Sequence, residues 1–316
     1  MSSGTASTAL DVQLRSVLVA TDFSTVSRKA LRHALAIARH YGAKLYAMHV
    51  VSSVGLTIAG PDAIAQATML ALRDASLTER RLVASGALRD MRHQVIVRPG
   101  DVWAELQAVI RQEGVDLLVI GTHGRSGLKR LILGSVAEQI FRNAGCPVLT
   151  VGPCSPPDAP WGSSDTPRPV LFATDFSDAS LKALPFAASF ANQRQTKLAL
   201  IHMLDPMTPV KNGRWYTASD VAEMRSVAQT DARKRLRDLI ADITLGIEPA
   251  FTADFGEPAE GILRTTQAAH AELIVMGLKC RRRVETMSHL PWSTAYDVVR
   301  GAGCPVLTIR GENAWE

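Results

Sequence analysis

The sequence predicts an α/β protein with two doubly wound domains, each built on a parallel sheet that helices cover on both faces. Short apolar runs alternate with helical patterns along the chain. In addition, Ala20-Thr-Asp-Phe-Ser24 recurs as Ala173-Thr-Asp-Phe-Ser177, and Gly145-Cys-Pro-Val-Leu-Thr150 recurs as Gly303-Cys-Pro-Val-Leu-Thr308. Two repeats within 316 residues indicate two domains of ordinary size.

The first repeat contains five apolar runs that are typical of buried strands. The predicted strands are about Ser16–Ala20, Lys44–Val51, His93–Arg98, Asp116–Ile120 and Val148–Val151. The predicted helices run from about Val26 to Tyr41, from Pro61 onward, from about Val102 to Gln112, and from Val136 to Asn143. Gly42 is expected to end the first helix. Strands that alternate with helices predict right-handed crossovers and parallel pairing.

The second repeat follows the same plan, with a long helix predicted from about Ser219 to Asp242. Pro185 lies where the first helix of this repeat is expected, and we predict that it starts or kinks that helix. The segment between the repeats is rich in proline and reads as a linker. The predicted organisation is a disordered lead-in (1–13), a first domain (14–152), a linker (153–167), a second domain (168–310) and a tail (311–316).

Composition excludes several classes of protein. No apolar stretch approaches the roughly 20 residues that a membrane span needs, and the first residues do not resemble a signal peptide, so we expect a cytoplasmic protein. The four cysteines and eight histidines lack ligand spacing, so no metal site is predicted. Cys146 and Cys304 are expected to be small core residues. The net charge of +5 is spread along helices, which disfavours nucleic-acid binding.

A glycine pattern follows the fourth strand of the first repeat: Gly121-Thr-His-Gly124, and then Gly134-Ser135. Glycines at the end of a strand let backbone N–H groups approach an anion without interference from a Cβ atom. A helix that begins at Gly134-Ser135 adds unpaired donors and the positive end of its dipole. The pattern therefore predicts a phosphate site, although Ser135 and Glu138 also fit a capping box.

The spacing G-x2-G-x9-G-[ST] resembles the nucleotide-binding signature of the universal stress proteins. The segments Val17–Ser24, Leu45–Val50 and Gly145–Val151 resemble the first, second and last strands of that family. The resemblance covers about 14–152 and 168–310. It implies two tandem flavodoxin-like (Rossmann-like) domains, each a five-stranded parallel sheet of order 3-2-1-4-5. In such a sheet, ligands bind where the winding direction switches, between the first and fourth strands.

The resemblance also implies which residues bind an adenine nucleotide: Ala20, Thr21, Asp22, Val50, Gly121, Gly124, Arg125, Gly134, Ser135 and Val136. Asp22 would accept from the ribose or the adenine, and the backbone of Val50 would contact the adenine edge. Arg125 would offset phosphate charge. Structural alternatives stay open, because Asp22 also fits an Asx turn, Val50 an ordinary buried position and Arg125 a solvated surface. The expected cofactor is ATP, with or without Mg²⁺.

The second repeat departs from the pattern. Cys280 replaces the second glycine, and Trp292 stands opposite Gly134. An indole there would occupy the space in which backbone should meet phosphate, so we predict a degenerate site and a mainly structural or regulatory second domain. In the alternative interpretation, Lys279 and Arg281–Arg283 supply the charge for an anion.

No catalytic residue is assigned, because His123 has no carboxylate partner in its local sequence. The resemblance implies a stress-response binding or signalling function with a protein partner yet to be identified. It also implies that Val148–Val151 pairs with Val306–Ile309 inside one chain, while homodimers remain open. Two other functions stay open: a slow ATPase or phosphotransferase that uses Asp22, and a nucleotide-independent interaction scaffold.

Overall fold

The computed structural model describes residues 11–22, 25–52, 60–122, 135–152, 154–155, 160, 166–206, 210–211, 214–215, 217–279 and 293–311. The chain divides into two compact units. The N-terminal unit comprises Gln13–Asp165 and Val299–Arg310, and the C-terminal unit comprises Met1–Val12, Thr166–Val298 and Gly311–Glu316. The units therefore do not coincide with the two sequence repeats, because Val299–Arg310, at the end of the second repeat, belongs to the N-terminal unit.

The first repeat forms five strands and four helices among its described residues. They are β1 (Ser16–Ala20), α1 (Thr25–Tyr41), β2 (Lys44–Ser52), α2 (Pro61–Ala84), β3 (His93–Gly100), α3 (Val102–Glu113), β4 (Leu117–Gly121), α4 (Ser135–Asn143) and β5 (Val148–Val151). Local chemistry sets several of these limits. Gly42 ends α1 with a φ of 63°, and Pro61 begins α2. Asp101 caps α3 by accepting a hydrogen bond from the backbone N–H of Ala104 at 2.9 Å.

The second repeat has the same order of elements, with a short hairpin added before its long helix. The elements are β6 (Val170–Ala173), α5 (Asp178–Gln193), β7 (Leu198–Leu204), β8 (Val210–Lys211), β9 (Arg214–Trp215), α6 (Ala218–Asp238), β10 (Ala250–Phe255), α7 (Pro258–Ala268), β11 (Leu273–Leu278), α8 (Ser293–Gly301) and β12 (Val306–Arg310). The pair β8–β9 is antiparallel and was not expected from the sequence.

In the N-terminal unit the strands lie in the order β3-β2-β1-β4-β5, and all four pairs are parallel. Val17 is opposite Leu45 on one side and Leu117 on the other. The chain steps from β1 outward to β2 and β3 and then returns to β4 and β5. Because crossovers are right-handed, α1 and α2 cover one face and α3 and α4 the other. The predicted α/β fold with a mostly parallel sheet is confirmed.

The outer edge of β5 is covered by β12, which pairs with it antiparallel inside the N-terminal unit. Leu307 lies opposite Leu149, and Thr308 Oγ1 donates to the carbonyl oxygen of Val148 at 3.3 Å. The sequence predicted that the last strands of the two repeats meet within one chain, and the structure shows this pair. An edge that would otherwise expose unpaired backbone groups is thereby closed.

In the C-terminal unit the described strands lie in the order β10-β7-β6-β11, again parallel. Of the two effects predicted for Pro185, it does not start the first helix of this unit, and a kink in that helix stays a prediction. Helix α5 begins at Asp178 and runs through Pro185, because Ser177 caps it by accepting from the N–H of Ser180 at 3.4 Å. Burial of one face of α5 against the sheet then outweighs the local cost of a proline inside a helix.

The central strands of each unit are buried on both faces, whereas the outer strands β3 and β10 are only partly buried. Leu18, Leu118 and Leu171 are fully buried, as expected for parallel strands that helices cover on both sides. Cys146 and Cys304 are buried, which confirms their predicted place in the core. Burial raises the pKa of the Cys146 thiol to about 11, so this group stays protonated at neutral pH. Among the described helices, none is long and apolar enough to cross a membrane.

His33 lies inside the core on α1, with only 2% of its surface exposed. Burial, together with the nearby ammonium group of Lys29, lowers the pKa of His33 to about 4. In the unfolded chain the same group titrates near 6.5. The unfolded state therefore binds more protons between these two values. The contribution of neutral His33 to stability is complete above pH 6.5 and is lost as the pH falls towards 4.

We predict that acid destabilises the wild-type chain more than a His33→Leu variant. Between pH 7.5 and 5.5, the wild type should lose about 1 kcal/mol more of its free energy of unfolding than the variant loses. Urea unfolding at the two pH values measures this difference. His40→Gln, an exposed histidine on the same helix, should behave like the wild type. Equal losses in the wild type and His33→Leu would contradict the assignment.

Candidate functional site

The carboxyl ends of β1 and β4 lie side by side in the N-terminal unit. Val19 is opposite Val119, and the two strands end at Ala20 and Gly121. Because the strands are parallel and adjacent, the residues that follow them, Thr21-Asp22 and Thr122, leave the sheet at the same edge. This is the point where the winding direction of the sheet reverses, and ligands of doubly wound folds bind at such a point.

Thr21 is held by three hydrogen bonds to two neighbouring elements. Its N–H donates to the carbonyl oxygen of Met48 at 2.9 Å. Its carbonyl oxygen accepts from Nδ1 of His49 at 2.7 Å, and its Oγ1 donates to Oγ of Ser27 at 3.3 Å. The side chain of Thr21 is buried. Thr21 is therefore fixed to β2 and α1, and it presents Asp22, which is half-buried, at the edge of the sheet.

The other predicted nucleotide contacts fall partly within the described residues. Val50 lies on β2 opposite Arg98 and is half-buried. Val136 is half-buried in the first turn of α4, which begins at Ser135. The remaining predicted positions, and the histidine of the glycine pattern, lie outside the described residues: His123, Gly124, Arg125, Gly134 and the side chain of Ser135.

The glycine next to the last residue of β11 has a packing role in the C-terminal unit. Gly277 corresponds to Gly121, and a Cβ atom on Gly277 would overlap the backbone of Ala179 and Ser180 in the first turn of α5. The strand and the helix approach each other closely only because no side chain intervenes. A glycine at this position is therefore required by packing alone. Substitution of Gly121 would test the fold as much as any ligand.

Asp175 corresponds to Asp22 and shows how the fold uses an aspartate at this strand end. Its Oδ1 accepts from the backbone N–H of Ser177 at 3.0 Å and from Ser177 Oγ at 2.5 Å. Between them, Phe176 adopts a φ of 59°. This is the Asx turn that the sequence offered as the structural alternative for Asp22. The equivalent partners in the first repeat, Phe23 and Ser24, lie outside the described residues.

The second oxygen of Asp175 forms an ion pair that has no counterpart in the sequence of the first repeat, where His123 stands in place of Lys279. Nζ of Lys279 lies 2.5 Å from Oδ2 of Asp175. Partial burial opposes ionisation of Asp175, but the hydrogen bonds from Lys279 and Ser177 outweigh it and lower the pKa to about 2. Lys279 is thus engaged by a carboxylate. Cys280, Arg281–Arg283 and Trp292 lie outside the described residues.

A cluster of two aromatic rings and a guanidinium group lies beside this strand end in the C-terminal unit. The ring of Phe176 lies 4.5 Å from that of His202, and the guanidinium of Arg235 lies 4.0 Å from the centre of the Phe176 ring. Arg235 reaches this position from α6. The C-terminal unit therefore fills the neighbourhood of Asp175 with its own cations and an aromatic ring.

Sequence reasoning missed the residues that hold the strand ends in place. His49 and Ser27 bond Thr21, and His202 and Ser180 bond Thr174 in the same way. The repeat contained the signal: each histidine follows its threonine by 28 residues, and each serine follows it by six. Within the described part of the chain, no group of three or more His, Cys, Asp or Glu residues is placed to hold a metal ion.

Comparisons with known proteins agree with the repeat. The model of the universal stress protein family matches residues 13–152 and 167–310. A universal stress protein of Methanocaldococcus jannaschii is 32% identical over 141 residues, which are 43% of this chain and 81% of that protein. A universal stress protein of Mycolicibacterium smegmatis is 24% identical over 308 residues, which are 93% of this chain and 96% of that protein.

The crystal structure of a universal stress protein from Archaeoglobus fulgidus is similar over 95% of this chain and 99% of that chain, with a TM-score of 0.66 and 23% sequence identity. At this identity the likeness shows a shared fold.

We predict that Lys279→Met raises the pKa of Asp175 by about 1 to 2 units, because the variant removes the cation while partial burial persists. A ¹³C NMR titration of the side-chain carboxyl group measures the shift. Lys234→Met, an exposed lysine of the same unit, should leave the pKa unchanged. Since the pKa of Asp175 is depressed in the fold, its contribution to stability is present above pH 3.8 and is lost as the pH falls towards 2. A pKa that stays near 2 in Lys279→Met would contradict the ion pair.

Proposed function

The chain belongs to the universal stress protein family and contains two tandem domains of that family, and on this basis we propose that its first repeat binds an adenine nucleotide, ATP, at the carboxyl ends of β1 and β4. The main support is the register of β1 against β4, which brings Asp22 beside the strand that leads into the glycine pattern. The winding reversal makes this edge the expected ligand position of the fold.

The residues at this edge fit the chemistry of a nucleotide. Asp22 is a half-buried acceptor that suits a ribose hydroxyl group. Helix α4 begins at Ser135, so its first N–H groups and dipole favour phosphate oxygens. In the proposal, Gly124, Gly134, Ser135 and Val136 bind phosphates, while Arg125 offsets their charge. Ala20, Thr21 and Gly121 form the floor, and the backbone of Val50 contacts the adenine. Mg²⁺ can accompany the phosphates.

The proposal assigns the second repeat a structural or regulatory role without nucleotide binding. The ion pair between Lys279 and Asp175 supports this assignment, because both charges are already neutralised within the unit. Phe176 and Arg235 occupy the neighbourhood of the same strand end. In this account, nucleotide in the first repeat alters a surface that a partner protein reads under stress, and the protein acts in the cytoplasm.

We predict that ATP binds with a stoichiometry of one per chain and that Gly124→Trp abolishes this binding, because an indole would fill the space next to the phosphates. Isothermal titration calorimetry measures both. Gly124 is a better test than Gly121, whose counterpart Gly277 is needed for packing. Cys280→Trp, at the corresponding position of the second repeat, is the matched control and should bind like the wild type.

A stoichiometry other than one ATP per chain would contradict this assignment of the two repeats. A value of two, reduced to one by Cys280→Trp, would mean that the second repeat binds nucleotide through Lys279 and its neighbouring arginines. An absence of binding to ATP, ADP and AMP would support the interaction scaffold instead.

We predict no steady-state release of phosphate above the buffer rate when the wild type is incubated with ATP and Mg²⁺. Phosphoryl transfer needs a carboxylate that holds the metal and a group that positions the nucleophile. Asp22 is the carboxylate that the sequence offers beside the loop. Phosphate release that Asp22→Ala removes, at ATP concentrations that saturate both proteins, would instead favour the slow ATPase.

A further inference from the structure

His49 lies on β2 and reaches across to the end of β1. Its Nδ1 atom is 2.7 Å from the carbonyl oxygen of Thr21. A carbonyl oxygen can only accept, so Nδ1 carries the proton and donates it. His49 is half-buried and lies opposite Val97 of β3. The imidazole therefore links two backbone segments that the proposed site uses, because Asp22 follows Thr21 and Val50 follows His49.

The hydrogen bond controls one particular peptide group. The carbonyl of Thr21 and the N–H of Asp22 belong to the same planar trans peptide, so they point in opposite directions. The carbonyl points towards β2, where His49 lies. The N–H of Asp22 then points away from His49 and β2. Fixing the carbonyl thus fixes the peptide plane from which the Asp22 side chain departs.

The second repeat contains the same contact in a different setting. Nδ1 of His202 is 2.8 Å from the carbonyl oxygen of Thr174, again 28 residues apart. The threonine N–H groups also match, since Thr21 donates to Met48 at 2.9 Å and Thr174 donates to Ile201 at 3.0 Å. In the second repeat the following aspartate, Asp175, is paired with Lys279. His202 therefore serves as an internal control: a variant of this residue shows what loss of the contact does to folding without removing it from the first repeat.

We propose that His49 is a positioning residue for the nucleotide site: its Nδ1–H holds the peptide between Thr21 and Asp22 in the orientation that presents Asp22 to the ribose. This inference rests on the proposed function of the first repeat. His49 acts through Thr21 and does not touch the ligand. His202 performs the same structural task without any effect on nucleotide affinity.

The test compares four variants by ATP calorimetry. His49→Leu removes the donor and should weaken ATP binding about five- to tenfold, the usual worth of one hydrogen bond. His49→Gln keeps a polar side chain but places its amide beyond the Nδ1 position, so it should weaken binding similarly. It replaces His49→Leu in the test if that variant does not fold. His49→Asn places an amide N–H near the position of Nδ1 and should retain the wild-type affinity. His202→Leu should also retain it.

A second readout needs no ligand. Hydrogen exchange of a peptide that covers Val17–Asp22 should become faster in His49→Leu and His49→Gln than in the wild type, while His49→Asn stays protected. The matching peptide of the second repeat, Val170–Asp175, should respond to His202→Leu and not to the His49 variants.

Three results would overturn the inference. Wild-type affinity in both His49→Leu and His49→Gln would refute it while the proposed function stands. An equal loss of affinity in His202→Leu would show that His49 and His202 both affect binding only through the stability of the fold. If the wild-type chain binds no nucleotide, the proposed function and this inference fail together, whatever the hydrogen exchange shows.

Discussion

The parallel pairing of β1 with β4 is the constraint on which the rest of the structure depends. It joins the two halves of the sheet, reverses the winding, and puts helices on both faces, so that the strands can be continuously apolar. The same pairing leaves the ends of β1 and β4 next to each other, and the chain departs from them towards opposite sides of the sheet. The core and the candidate site are therefore two consequences of one strand arrangement.

The two repeats share a frame and differ in what the frame presents. In each, a threonine at the end of the first strand is held by a histidine and a serine. In the second repeat, Lys279 satisfies the aspartate that follows, and Phe176 and Arg235 stack beside it. In the proposed function, the second repeat therefore keeps the fold while its charged groups pair with each other, and only the first repeat binds an anion.

Much of the fold was predictable, because buried parallel strands are continuous apolar runs. The observed limits of β1 and β5 match the prediction, and β3 continues past its predicted end at Arg98 to Gly100. Pro185 lies inside α5 and does not begin it, because the cap at Ser177 and the buried face of the helix decide where α5 starts. The pairs Lys279–Asp175 and His49–Thr21 join residues far apart in the chain, so no local sequence pattern predicts them. For His49–Thr21, the signal lay only in the recurrence of the same spacing in the second repeat. The nucleotide role of the glycine pattern remains a prediction.

Hydrogen exchange of the whole chain with and without saturating ATP tests the central claim most directly, since it reports where the nucleotide binds without altering any residue. The account predicts slower exchange in peptides at the ends of β1, β2 and β4 and at the start of α4. Peptides that contain Asp175 and Lys279 should exchange at unchanged rates. Protection centred on Asp175 and Lys279, with none at Asp22, would contradict the account.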